Sequence, residues 1–579
     1  MEETDKVHKI RHSTAHLLAQ AVKQLYPEVK LGIGPVIENG FYYDFLRKEP
    51  FIPEDLKNIS KRMKELLRKN IAIEKKELDK DEIKDYLKSE PLKKELFDEL
   101  VEQGEKPTFF QQEEFIDLCR GPHIPNTKDL KNFALTKASG AYWKGDSSNI
   151  QLQRIYGVAF ETEEELKEYL QRMEEAEKYN HSKIGEEMEL FTIFNSIGKG
   201  LPIWLPKGEI IKEEIEKFAI ETENKAGFVR VSTPLIAKKE LFLRSGHLPH
   251  YADSMYPPMK MDDGEYYLKA MNCPMHHLIF SRKVRSYREL PLRIAEYGVC
   301  HRNELSGTLS GLQRVRMMKM NDAHIYCTKD QIEEEIEGVL AMVKYYYEVF
   351  GFKDYSFRLS LWDSKNKEKY IDEPENWEYS EEILRRVLKK LNLKFDEVKN
   401  EAAFYGPKID VQLKNIYGKE ETMSTVQLDF AAKKRFELHY DDAEGKQNNE
   451  VFVIHRAPLS THERFIAFLI EACKGKFPLW LSPVQVKIVT VNDGNIEYAE
   501  KVMRLLKEKG IRVELDKRAE SIGKKVRTAI IEKVNYIVTI GEQEISEDIL
   551  SIRDREGKLE KQKIDYFISN LTEEIRKKC

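Results

Sequence analysis

The sequence predicts a multidomain α+β protein, and three observations lead there. The chain has 579 residues, more than one hydrophobic core organises, so about three or four domains are expected. Its middle region carries many strand-like runs between helical stretches, among them YYLKAM, YSFRLSLW, KIDVQLK and STVQLDF. After the breaks at Phe477, Pro478 and Pro483 the pattern becomes VQVKIVTV, a helix ending KEKG, IRVELD, a second helix and YIVTIG, the alternation of a small α/β unit.

Taken in order, residues 1–160 mix a helix, HSTAHLLAQAVKQLYP, with short β-like runs such as KLGIGPVIENGFYYDF. There glycine, proline and asparagine punctuate apolar residues, so this part reads as α+β. From about Glu161 a charged, nearly glycine-free stretch spaces its leucines and methionine at helical intervals, and a linker helix over 161–181 is expected. Residues 182–481 read as an antiparallel sheet with flanking helices, and residues 482–579 as the α/β unit. No repeat of fixed period or low-complexity segment interrupts this order.

Composition excludes several classes. With 41% hydrophobic and 34% charged residues the chain is globular rather than disordered, and no apolar run reaches the roughly 18 residues of a membrane span. The polar start MEETDKVHKIRHSTAH lacks an apolar signal core, so a cytoplasmic location is the default. Cys119, Cys273, Cys300, Cys327, Cys473 and Cys579 form no CxxC pair, which argues for reduced thiols. A net charge of -5 means that any nucleic-acid contact is local. The most basic stretch, Lys517 to Lys533, reads as well as one solvated face of a helix.

The segment His301–Asp322, HRNELSGTLSGLQRVRMMKMND, sets an arginine beside an acid and follows a loop with more arginines. Guanidinium groups bind phosphate bidentately, and a glutamate accepts from an exocyclic amine. On a strand, Arg302 and Glu304 would project to the same face. Upstream lies RVSTPLI, a strand with Pro234, and downstream IHRAPLSTHERFIAFLIEA puts Arg464 at the start of an apolar helix. These three blocks resemble the signature motifs of class II aminoacyl-tRNA synthetases. With MNCPMHHLIF, LPLRIAEYGVCHRNE, DAHIYC, AFYGPKID, TVQLDF, HSTAHLLAQAVKQLYP and DLCRGPHIPNT, nearly the whole chain is similar to the threonyl-tRNA synthetases.

That resemblance implies a class II antiparallel sheet, an N-terminal editing domain and a C-terminal anticodon-binding domain. It implies activation of threonine with ATP and Mg²⁺, transfer to tRNA(Thr), hydrolysis of mischarged seryl-tRNA(Thr), and a homodimer formed through the region of Pro234. Arg302 would hold the α-phosphate, Glu304 the adenine amine, and Arg314 and Arg464 the phosphate tail, with Gln427 near both ligands. Cys273, His324 and His455, too far apart in sequence for a zinc-knuckle pattern, would hold one Zn²⁺ per subunit that binds threonine. Asp322 would take the threonine hydroxyl, Tyr405 would line the pocket, and His247 would serve the transfer step. Glu544 and Arg553 would read anticodon bases. Two departures stand out: Met318 occupies the place of a phenylalanine that stacks on adenine, and Ser460 that of a glycine. A small ubiquitin-like domain that begins many bacterial members is expected to be absent.

A second site is expected on chemical grounds. Serine keeps threonine's hydroxyl and lacks only a methyl, worth about 1–3 kcal/mol or roughly 10–200-fold, too little for translation. His12 and His16 lie one helical turn apart, and Cys119 and His123 repeat that spacing. The residues alone fit either a zinc site or a metal-free one; the resemblance implies the metal-free form, with Asp117 and Lys93 (or its neighbour Lys94) handling substrate and water. Two other readings remain open: an RNA-binding or regulatory relative without activity, which should have lost Arg302, Arg314 and Arg464, and a prolyl- or seryl-type synthetase, against which DAHIYC, HSTAH and CRGPH speak.

Overall fold

The computed structural model describes residues 2–146 and 148–578. The chain divides into two compact units, Met1–Glu174 and Glu175–Cys579, and the division falls within the helix Glu163–Tyr179.

In the first unit, helix α1 (Glu2–Leu25) begins well before the expected HSTAH turn. Its buried residues Ala15, Leu18, Ala19 and Val22 follow the 3.6-residue period and face the core. They pack with Phe41, Tyr43 and Phe45 of strand β1 (Gly40–Leu46) and with Ile59, Met63 and Leu66 of the helix Pro53–Arg68. β1 belongs to an antiparallel sheet with Lys30–Leu31, Val36–Ile37, Gln151–Ala159 and Phe133–Tyr142. A smaller antiparallel sheet ends in β2 (Phe115–Leu118).

The second unit opens with α2 (His181–Glu187) and is built on an eight-stranded sheet. Its main strands are β3 (Leu292–His301), β4 (Met317–Cys327), β5 (Lys408–Lys414), β6 (Glu420–Asp429) and β7 (Phe452–Ala457), in the spatial order β3-β4-β7-β6-β5. These pairs are all antiparallel, as expected; only Val229–Arg230 on one edge and Phe395–Val398 on the other pair in parallel. Helices Pro206–Lys225, Ile332–Phe350, Pro374–Lys390 and α4 (His462–Ala472) cover the sheet through Ile211, Phe218, Leu340, Trp377, Phe465 and Leu469. Helix α3 (Cys273–Ser281) carries a cysteine as its first residue. On one face of β7 the buried Arg456 donates to Glu223 at 2.8 Å and to Asn321 at 3.1 Å.

Pro234 does not sit in a strand. Val229–Arg230 stops before it and Ile236–Lys238 starts after it, because proline has no N–H to give a ladder. The C-terminal sheet has the order (Val513–Asp516)-(Val486–Thr490)-(Tyr536–Ile540)-(Leu550–Asp554)-(Leu559–Gln562). Its first three strands are the parallel ones the sequence alternation predicts, and two antiparallel strands extend it. In the basic stretch, Lys524 and Arg527 are exposed, whereas Lys525 is buried with its amine 3.3 Å from Thr490 Oγ1. Among the described residues no helix is long and apolar enough to cross a membrane.

Candidate active site

Strand register assembles the larger cluster. His324 on β4 faces His455 on β7, His455 faces Gln427 on β6, and Gln427 faces Lys408 on β5. Side chains alternate along a strand, so these four form one row on one face, and Asp322, two residues before His324, shares that face. Cys273 approaches from the start of α3. Its Sγ and one ring nitrogen each of His324 and His455 lie within 4.8 Å of one another, all buried. Tyr405 stacks on His455, with ring centroids 5.0 Å apart, and donates to Gln427 Oε1. The cleft above the row, about 280 Å³, is lined by Arg302, Asp322, Gln427 and Arg464 among others.

Hydrogen-bond partners assign the imidazole tautomers. Burial pushes the Asp429 carboxyl up, but the bond from His455, the charges of His455 and His277 and the Ala432 backbone together outweigh that and hold it below the usual carboxylate range. An ionised carboxylate only accepts, so His455 Nε2 carries the proton of their 3.0 Å bond and His455 Nδ1 is bare. Glu296 is likewise pushed up by burial and pulled down further by His276 and the Thr233 backbone. It accepts from His276 Nε2 at 3.1 Å, which leaves His276 Nδ1 to accept from His324 Nδ1 at 2.8 Å. His324 Nε2 is then bare as well. The two bare nitrogens face each other at 3.0 Å, an arrangement that a shared cation relieves.

Burial drives the His324 imidazole far down and the Cys273 thiol up, so both favour their neutral forms; the imidazole can ligate as it is, whereas the thiol must lose its proton to do so. One sulfur and two imidazoles with open positions suit a zinc that also binds substrate. Asp322, raised by burial, accepts from Asn272 Nδ2 at 2.9 Å. His247 lies beside the cluster, its Nδ1 2.7 Å from Ser245 Oγ and its Nε2 3.1 Å from Met271 Sδ. Burial, then Arg435, pulls it down to about 4.

At the other end of the cleft the strand premise for Arg302 and Glu304 needs correction. The β3–β4 ladder ends at His301 and Met317, and the chain turns at once: Glu304 N–H donates to Arg302 O at 2.9 Å. Arg302 and Glu304 are therefore placed by a turn rather than by strand alternation, and Glu304 pairs with Arg314. Arg302 Nε is buried without a hydrogen-bond partner among the described residues, a donor suited to an anion. Glu304 accepts from Arg314 at 2.8 Å. Arg464 donates to the carbonyls of Gln313 and Thr422, both at 3.1 Å.

The two departures have different outcomes. Met318 packs with Cys300 and Val315 and is 5% exposed, and it is Met320 that lines the cleft. Met318 is enclosed by the neighbouring cysteine and valine. Ser460 has φ +50, the left-handed region that glycine enters without strain; its carbonyl accepts from Asn321 N–H at 3.0 Å.

The first unit holds a second cluster. His12 and His16 project from one face of α1, and His12, His16, Cys119 and His123 offer ligand atoms all within 4.8 Å. Cys119 and His123 share the spacing of His12 and His16 but not the helix: they lie in a loop after β2. Gly121, at φ +68 and with no room for a side chain beside Phe110, turns that loop. Cys119 Sγ is 3.2 Å from His12 Nε2 and 3.3 Å from His123 Nε2. Burial, then Asp117, pushes the thiol up to about 12, and burial, then His16 and His12, pulls His123 down to about 2. Asp117 accepts from Tyr43 at 2.6 Å and pairs with Lys93 at 2.6 Å. Lys93 is buried, whereas Lys94 points to solvent and pairs with Asp98, so the geometry favours Lys93 over its neighbour.

In the C-terminal sheet region, Glu544 is 9% exposed and its carboxylate accepts from Gly541 N–H at 2.9 Å and Ser551 Oγ at 2.7 Å. Arg553 lies on the strand Leu550–Asp554, beside Ile537. Sequence reasoning missed His276, Glu296, Asp429 and Tyr43. The histidine pair in CPMHH, one helical turn from Cys273, is the one signal that could have flagged His276.

Comparison with known proteins agrees with this geometry. Residues 258–473 match the tRNA synthetase class II core domain (G, H, P, S and T), residues 485–578 the anticodon binding domain, and residues 100–156 the threonyl and alanyl tRNA synthetase second additional domain. A threonine–tRNA ligase of Geobacillus sp. (strain WCH70) is 49% identical over 572 residues, 98% of this chain and 88% of the relative. One of Staphylococcus aureus (strain NCTC 8325 / PS 47) is 47% identical over 573 residues, again 98% and 88%. The crystal structure of the RNA binding domain of threonyl-tRNA synthetase from Cryptosporidium parvum Iowa II superposes with a TM-score of 0.64 at 34% identity, covering 68% of this chain and 98% of that one. With such identity across almost its full length, the chain belongs to the threonine–tRNA ligase family of class II aminoacyl-tRNA synthetases.

Proposed function

We propose that this protein activates threonine with ATP, transfers it to tRNA(Thr), and clears seryl-tRNA(Thr) in its N-terminal unit. The observation that carries the reading is the convergence of Cys273 with two bare imidazole nitrogens beside Asp322, in a cleft that also holds Arg302 with an unpaired donor. Threonine's carboxylate is nucleophilic without a base, so positioning and charge neutralisation dominate the first step. It attacks the α-phosphorus of ATP and pyrophosphate leaves. Arg302 holds the α-phosphate, Arg464 the γ-phosphate side, and Arg314 exchanges Glu304 for the phosphate tail, which frees Glu304 to accept from the adenine amine. Mg²⁺ accompanies the phosphates.

Cys273, His324 and His455 would hold one zinc, which would supply a Lewis acid for threonine. Asp322 accepts from that hydroxyl, and Tyr405 and Gln427 close the pocket. In the second step a terminal ribose hydroxyl attacks the carbonyl and AMP leaves; His247, neutral at pH 7 because burial pulls it to about 4, can take the hydroxyl proton. Threonine-dependent ATP–pyrophosphate exchange tests the whole reading: exchange with proline or serine but not threonine overturns it.

The domain assignment follows: editing over 1–160, a linker helix over 161–181, catalysis over 182–481, and anticodon binding over 482–579. In the editing site a neutral thiol and neutral imidazoles around the Lys93–Asp117 pair suit the positioning of water rather than nucleophilic attack by sulfur, and the site works without metal. Glu544 is oriented by Gly541 and Ser551 to accept from a base edge, and Arg553 offers a donor. Replacing both is expected to lower aminoacylation at least about tenfold while ATP–pyrophosphate exchange holds, since base contacts do not touch the adenylate. Equal losses in both assays indicate misfolding instead.

The enzyme is cytoplasmic and forms a homodimer through the segments flanking Pro234. These expose Val229, Leu235, Leu243 and Met261 at 48–50%, apolar area that an isologous interface would cover. Light scattering at micromolar concentration is expected to give twice the 68.0 kDa chain mass; a monomer counts against it.

A further inference from the structure

We infer that His181, which none of the motifs contains, is a positioning residue that latches the ATP-binding loop; the inference rests on the activation reading above. His181 is the first residue of α2 and is 2% exposed. Its Nδ1 lies 2.7 Å from Glu471 Oε1 on α4, and its Nε2 lies 3.0 Å from the backbone N of Leu312. A backbone N–H only donates and a carboxylate only accepts, so the ring must give its Nδ1 proton to Glu471 and accept Leu312 N–H at Nε2. Ser182 Oγ also lies 3.3 Å from that Nε2.

The contact is close on every side. Gly311 has φ +48, and a Cβ there would stand 2.2 Å from His181 Nε2. Glu471 Oε2 accepts from Gln313 Nε2 at 3.4 Å, and Arg464 Nε donates to Gln313 O at 3.1 Å. Leu312 is itself fully buried in the core beneath the sheet. The turn Gly311–Gln313 is thus held from three directions, and Arg314 follows it directly. Arg314 keeps its own backbone bond to Ser310 O at 3.2 Å, but its side chain is half exposed and, among the described residues, its ion pair is with Glu304. The place from which its guanidinium reaches the phosphate tail is therefore set by the turn, and the turn is set by His181 and Glu471.

A latch of this kind acts on ATP and not on threonine, whose ligands lie at the other end of the cleft. In threonine-dependent ATP–pyrophosphate exchange with the full chain, His181→Leu and Glu471→Leu are each expected to raise the KM for ATP about tenfold, the order of one lost buried hydrogen bond. The KM for threonine and kcat should stay within about twofold. Glu471→Gln keeps an oxygen that accepts from Nδ1–H and should stay near the parent. Loss of thermal stability or of kcat with an unchanged KM for ATP means a structural role only and overturns the inference, as does Glu471→Gln behaving like Glu471→Leu. If His181→Leu does not fold, the two Glu471 variants decide alone. A parent enzyme that shows no threonine-dependent exchange defeats the activation reading instead, before any variant is compared.

Discussion

Cys273→Ser is expected to lose the bound zinc and with it threonine activation. A neutral hydroxyl is a poor replacement for a thiolate, and the remaining donors, His324 and His455, would have to hold the cation with only Asp429 and His276 orienting them. Because changes that merely disturb an orienting partner cost about 10–100-fold in metal affinity or activity, removal of a ligand should exceed the upper end of that range. Metal analysis of purified protein, run beside threonine-dependent exchange, reads both quantities. The parent should carry one zinc per chain. Full exchange in a zinc-free variant removes the substrate-binding role, and two zincs in the parent would mean that His12, His16, Cys119 and His123 hold one as well.

The second large effect is expected at the other cluster. Combined His12→Ala and Cys119→Ala should leave threonine charging near the parent level and let seryl-tRNA accumulate. The zinc pocket can tell serine from threonine only by a methyl's packing, roughly 10–200-fold, so what keeps the product clean must be hydrolysis elsewhere. The enzyme would be given serine, ATP and tRNA(Thr), and acylated tRNA followed over time. If the parent also accumulates seryl-tRNA, the N-terminal unit is not an active editor; if the variant clears it as fast as the parent, the two residues are not the ones that matter.

Much of the fold was legible because it rests on local periodicity. The strands KIDVQLK and STVQLDF, the C-terminal strand–helix alternation and the helix bearing His12 and His16 all follow the residue pattern. Where inference leaned on a local geometry that tertiary structure overrides, it failed: Arg302 and Glu304 lie in a turn, Cys119 and His123 meet in a loop, and Pro234 interrupts rather than joins a strand. The packing of Met318 against Cys300 and Val315 was not legible in its motif position either. The orienting groups were invisible for a different reason. Glu296, His276 and Asp429 act through partners brought together by sheet register, and no spacing in the chain announces that His324 will stand opposite His455.

That register has a consequence for how the chain can vary. His455 faces the cleft and Arg456, its neighbour on β7, faces the other way, buried against Glu223 and Asn321. Sliding β7 by one residue exchanges the two faces. A guanidinium would then stand among cation ligands, while Glu223 would exchange Arg456 for an imidazole and rely on Arg230 and Asn321. The two errors occur together, so β7 tolerates neither an inserted nor a deleted residue within its pairs with β4 and β6. The buried Arg456–Glu223 pair thus discriminates against a misaligned β7 as well as holding the aligned one.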